Sequence, residues 1–152
     1  HTIMKWKAAF SLIICIVSFA HCQQIDEETA IKKLLEKESA TWRAKDVKGH
    51  ADCWNIQPYS RISVSLPDGQ TIDVPPTVMK NQKPETMGNG GFAVNSNYKM
   101  SISKNNAWVS HDELSTDVEG KRTWSYDIRS EEKVNEQRKL VGKSLHINKR
   151  EN

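Results

Sequence analysis

The hydrophobic period of this chain changes once, from helical before Pro58 to two-residue alternation after it, and that switch constrains the fold. From Glu27 to Lys45, Ala30, Ile31, Leu34, Leu35 and Trp42 fall on one side, and Lys32, Lys33, Glu36, Lys37 and Arg43 on the other. Asp26 is a fair N-cap, and Glu27 and Glu28 suit the positive end of the helix dipole. Asp46 can cap a second helix over Val47 to Trp54, weakened by Gly49 and ended by Pro58.

Beyond Pro58 the expected elements are strands. Tyr59 to Leu66 and Gln70 to Val74 flank the turn Pro67-Asp68-Gly69 and read as a hairpin. Pro75-Pro76 ends it, and Thr77 to Lys83 suits a short helix with Pro76 in its first turn. Phe92 to Ser103, Ala107 to Thr116, Lys121 to Lys133 and Lys139 to Ile147 then form a four-stranded meander, separated by Asn- and Gly-containing turns. Helices first and antiparallel strands after predict an α+β domain with helices covering one face of the sheet.

Met4-Lys5-Trp6-Lys7 followed by an apolar run from Ala8 to Ala20 reads as a signal peptide preceded by a short upstream extension, with cleavage after Ala20. The domain plan is therefore 1–20 as leader and 21–152 as one domain, secreted or periplasmic, with no membrane span in the mature form. His21 before Cys22 argues against a lipid anchor there, since that position calls for a small residue. The net charge is +3 and the leader carries Lys5 and Lys7, so the mature chain is near neutral and has no electrostatic reason to bind nucleic acid. With Cys15 in the leader, Cys53 stands alone or pairs with Cys22, a bridge the spacing does not demand. No Cys-x-x-Cys or His-rich cluster suggests a metal, and nothing calls for a cofactor.

Ala30 to Ala40, the Lys45-Asp46 break, Ala51-Asp52-Cys53-Trp54 with Pro58-Tyr59, Asn106 to Ser110, and Ser130 to Val134 occur in an order that resembles the SnoaL-like branch of the nuclear transport factor 2-like superfamily. The likeness is to secreted bacterial members of unassigned function. It implies a cone-shaped curved antiparallel sheet, a cystatin-like or SnoaL-like α+β barrel, packed on a long N-terminal helix and two shorter helices. It also implies an apolar pocket and, often, a dimer. Two positions depart from the pattern: Glu136-Gln137-Arg138 stands where Gly-x-Trp is common, and Val74-Pro75-Pro76 replaces a Gly-Trp. The superfamily spans isomerases, cyclases, dehydratases and binding modules, so fold does not fix function.

Helical spacing puts His50, Cys53 and Trp54 on one face of the second helix. On the Ala107 strand, alternation puts Val109, His111 and Glu113 on one face and Trp108, Ser110, Asp112 and Leu114 on the other. If Trp108 faces inward, Asp112 is the carboxylate for acid–base work; in the opposite register His111 takes that place. Trp124, Tyr126 and Ile128 share a face, with Asp127 and Arg129 opposite, where Arg129 could orient an acidic ligand or pair with a glutamate across strands. His146 shares a side with Ser144, and by resemblance that last strand is where some cone-fold enzymes hold an acid–base residue.

The reading placed first is a non-catalytic domain binding an apolar or amphipathic small molecule in a central pocket of Trp42, Trp54, Tyr59, Trp108, Trp124 and Tyr126. The alternatives are an acid–base enzyme of the isomerase, cyclase or dehydratase kind using Asp112 or His111 with His50 or Tyr59, and a module whose exposed sheet face serves a homodimer or partner protein.

Overall fold

The computed structural model describes residues 25–151, so the leader, its cleavage site and Cys22 lie outside the described residues. Internal contacts divide the chain into two units between Lys33 and Leu34. Of the first unit, residues 25–33 are described and are helical; the same helix, α1, continues to residue 43 in the second. The remaining elements belong to the second unit.

After α1 come α2 (Val47–Ala51), β1 (Arg61–Ser65), β2 (Thr71–Val74), α3 (Pro76–Lys80), a 3-10 turn (Pro84–Thr86), β3 (Phe92–Ile102), β4 (Asn106–Thr116), β5 (Arg122–Val134) and β6 (Gln137–Glu151). Asp46 caps α2 by accepting from the Gly49 amide at 2.9 Å, as its position suggests. Pro75 and Pro76 open α3, where a missing N–H costs nothing. The six strands make one curved open sheet in the order β2-β1-β6-β5-β4-β3, an α+β arrangement. The expected hairpin and meander are both present.

One pairing departs from the all-antiparallel expectation: β1 lies parallel to β6, from Arg61 opposite Gly142 to Ser65 opposite His146. The chain begins this pairing upstream of β1, where the Leu140 amide donates to the Cys53 carbonyl and the Asn55 amide donates to the Leu140 carbonyl, both at 2.9 Å. With Cys53 and Trp54 buried after α2 and Trp54 already in parallel register with Leu140, the strand that follows continues alongside β6 in the same direction. The sequence pattern of a hairpin is the same whichever edge it later joins.

Leu35, Cys53, Trp54, Met79, Met87, Ala107, Val109, Leu140, Val141 and Ile147 form the apolar core. Into it are set polar side chains that are almost fully buried, among them Glu38, His50, His111, Asp127, Arg129 and Glu131. His111, Asp127, Arg129 and Glu131 share the sheet face that Glu38 and Ser39 of α1 meet, since those two bond to Arg129 and Glu113 of the strands.

Candidate functional site

A guanidinium organises the covered face. Arg129 donates from Nη1 to Glu38 Oε2 and from Nη2 to Asp127 Oδ2, each at 2.7 Å. Asp127 also accepts from the Ser125 hydroxyl at 3.1 Å. The Lys143 ammonium sits farther off, 3.7 Å from Glu38 and 4.0 Å from Asp127. Two carboxylates are thus balanced by two cations, which is what makes their burial tolerable. Burial alone would push the Glu38 carboxyl up, but Arg129, Lys143 and His50 outweigh it and hold it at about 2. Burial opposes the charge on Arg129, yet Glu38 and Asp127 keep that guanidinium above its ordinary value.

Two histidines border the network. His50 Nδ1 donates to the Glu38 carbonyl at 3.2 Å, and its ring lies 5.3 Å from that of Trp42 and 6.3 Å from that of Trp54. His111, 1% exposed, stands across from Asp127 and against the Tyr98 ring, with Nε2 buried and unpartnered among the described residues. Burial pushes both imidazoles below their usual range despite the carboxylates nearby, so both are neutral at pH 7. Cys53 behaves as a small apolar residue: its thiol donates to the Gly49 carbonyl at 3.3 Å, and burial raises its pKa.

Next to this network lies a cavity of about 240 Å3. Its apolar wall includes Trp42, Leu145 and Ile147; its polar wall includes Ser39, Arg43, Glu113 and Lys143. One side is closed by the Gly88-Asn89-Gly90 loop, whose position follows from the end of α1. The last helical carbonyls lack intrahelical donors. Here the Gly88 amide donates to the Trp42 carbonyl at 3.2 Å and the Gly90 amide to the Arg43 carbonyl at 3.0 Å. Position 88 must be glycine at this distance, because a Cβ there would stand 2.8 Å from the Trp42 ring and 3.2 Å from the Arg43 Cα. Inside the cavity Arg43 Nη1 donates to Ser39 Oγ at 2.5 Å, and Ser39 donates to Glu113 Oε2 at 3.2 Å.

The aromatic residues expected to line one pocket do not converge. Trp42 lines the large cavity, and Trp54 a separate cavity of about 20 Å3 with His50 and Met79. Tyr59 is 64% exposed and donates to Glu132 at 2.7 Å. Trp108 and Tyr126 are 43% and 36% exposed, on the sheet face away from α1. Trp124 shares that face, with the Arg122 guanidinium 5.0 Å and the Lys149 ammonium 5.2 Å from its ring centre. The reason is parity: once Asp127 and Arg129 face the helix, period two turns Trp124, Tyr126 and Ile128 the other way.

The same parity decides between the two acid–base candidates on β4. His111 is the inward residue, whereas Asp112 faces out and accepts from Asn97 Nδ2 at 2.6 Å. Asn97, at φ 54°, occupies the β3 bulge opposite. His146 is on the outer face too, 2.9 Å from Ser144 Oγ and 6.2 Å ring to ring from Tyr126. Arg129 does pair with a glutamate, but with Glu38 of the helix rather than across strands. Glu38, Asp127, Ser39, Arg43, Glu113 and Lys143 escaped the sequence reading, although alternating Asp127-x-Arg129-x-Glu131 is a same-face charge pattern able to neutralise itself. Among the described residues, no group of three or more His, Cys, Asp or Glu side chains could hold a metal.

No protein-family model matches the chain. No curated protein matches it in sequence either. Solved structures do match. A candidate scytalone dehydratase from Novosphingobium aromaticivorans superposes with a TM-score of 0.63 at 15% identity, over 84% of this chain and 88% of that one. A nuclear transport factor 2-like protein of unknown function from Shewanella baltica gives 0.59 at 18%, over 81% and 94%. A type 2 hexachlorocyclohexane dehydrochlorinase gives 0.62 at 12%, over 86% and 91%. At these identities the likeness is one of fold.

Proposed function

On this nuclear transport factor 2-like fold, which binding proteins and enzymes share, we propose a non-catalytic domain that holds a small amphipathic molecule in the cavity beside Trp42. The observation that carries this reading is the cavity itself, about 240 Å3 and lined both by apolar Trp42, Leu145 and Ile147 and by polar Ser39, Arg43 and Glu113. The non-catalytic half is supported by where the acids and bases lie: Glu38 and Asp127 are committed to Arg129, and Asp112 and His146 are on the far face. The titratable groups in the cavity wall are engaged as well: Glu113 accepts from Ser39, Asp117 is turned to its own loop, and Lys143 lies between Glu38 and Asp127, whereas proton transfer needs one that reaches the bound molecule. Calorimetric titration with small amphipathic probes should show saturable binding and a raised Tm. Ser115→Trp, which fills the cavity, should abolish both, and mass spectrometry should recover the probe unchanged. A chemically altered probe would return the domain to the dehydratase or isomerase reading.

A second reading concerns the outer face, where Phe92, Val94, Trp108 and Tyr126 are exposed. It makes that face the contact of a homodimer. Sedimentation should then show a dimer that Trp108→Arg dissociates, and a native monomer would dismiss it. Export through the leader belongs to the same proposal, and N-terminal sequencing of the mature protein should begin at His21.

A further inference from the structure

From the wall of this same cavity we infer that the bound molecule carries a carboxylate or a similar monoanion, received by Arg43; the inference rests on the cavity being the binding site. Arg43 is half-buried at the end of α1, yet among the described residues its side chain makes one hydrogen bond, to the neutral Ser39 hydroxyl. It belongs to no ion pair among the described residues, and its Nε is sealed from solvent without a partner. Its situation is the reverse of that of Arg129, which has a carboxylate on each Nη nitrogen. A partly desolvated guanidinium that faces no carboxylate of its own is costly, and an anion brought in by a ligand relieves that cost.

The rest of the wall fits one negative charge. Lys143 also lines the cavity, but at 3.7 and 4.0 Å from Glu38 and Asp127 its charge helps to balance theirs, which leaves Arg43 as the cation for a ligand. The lining carboxylate of Asp117 is turned to its own loop, where Oδ1 accepts from the Glu119 and Lys121 amides at 2.9 Å. Glu113 is tied to Arg43 through the Ser39 hydroxyl, so it fixes the guanidinium in place without pairing with it directly. In the same wall, Trp42, Leu145 and Ile147 suit a compact apolar body.

Three probes with one body and three headgroups test this: 3-phenylpropanoate, 3-phenylpropanol and 3-phenylpropylamine, titrated into the full chain. The carboxylate should bind roughly ten- to a hundredfold more tightly than the alcohol, the span expected of charge-assisted hydrogen bonds, and the amine least tightly. Arg43→Gln should bring the carboxylate down to the alcohol's affinity and leave the alcohol unchanged. Arg43→Lys, which keeps the charge without the fork, should retain part of the preference. Equal affinity for acid and alcohol, with both lost in Ser115→Trp or Thr123→Phe, would overturn the anion inference and spare the cavity reading. Binding of all three probes that neither filling variant disturbs, or no binding by any, would overturn both. Far-UV circular dichroism and the unliganded Tm of each variant separate lost binding from lost folding.

Discussion

The two faces of β5 carry opposite kinds of side chain, and neither is where hydrophobicity alone would put it. Toward α1 stand Ser125, Asp127, Arg129 and Glu131, all buried; away from it stand Trp124, Tyr126 and Ile128, half-buried or exposed. Burying the charged row is feasible because Ser125, Asp127 and Arg129 meet partners at hydrogen-bonding distance, above all the two 2.7 Å contacts of Arg129. The aromatic row remains outside because the parity of a strand allows one row or the other, not both. Specific polar complementarity with one helix residue, Glu38, therefore outranks the generic preference of rings for the interior.

That contrast can be broken most directly at Arg129. Arg129→Leu leaves Glu38 and Asp127 buried with Lys143 alone to balance them, and should cost about 3–5 kcal/mol in urea denaturation. A loss below about 1 kcal/mol would mean the inner row is carried by its apolar neighbours instead. Acid should act on the same face. The Glu38 pKa is depressed from 4.5 to about 2, so its stabilising effect is complete above pH 4.5 and lost as the pH falls toward 2. Its linkage is about 3 kcal/mol at neutral pH. His50 and His111, depressed by burial, add to the loss in the same direction once the pH drops below 6.5. Glu38→Gln should give a lower plateau and a visibly shallower acid limb in Tm against pH.

A smaller effect is expected where the loop meets the helix. Gly88→Ala forces a Cβ against Trp42 and the Arg43 backbone, and should cost about 1–3 kcal/mol while weakening probe binding in the cavity. Smallest of all, Trp108→Ser on the outer face should change monomer stability by no more than about 0.5 kcal/mol despite removing an indole. A larger loss there, vanishing on dilution, would show that the ring is covered in solution by a second copy.

The element order was legible because period and punctuation are local: Asp46 caps α2, Pro75-Pro76 opens α3, and Gly-containing turns such as Asp117 to Gly120 separate the strands. Which residues share a strand face was legible for the same reason. Which of those faces looks inward was not, because it depends on Glu38 reaching Arg129, 91 residues away. The cavity was out of reach on the same grounds: Ser39 and Arg43 read as ordinary solvated helix residues until the Gly88-Gly90 loop and Glu113 are brought to them. The parallel β1–β6 ladder leaves no periodic trace at all.

That ladder dictates an order of assembly. β1 and β2 are made early, yet among the described residues the one strand beside β1 other than β2 is β6, about eighty residues later. Until β6 is complete, the early hairpin has one edge bare and little reason to persist. A chain ending after β5 is thus expected to yield no smaller version of this domain, because the closing strand is also the one that recruits the opening one.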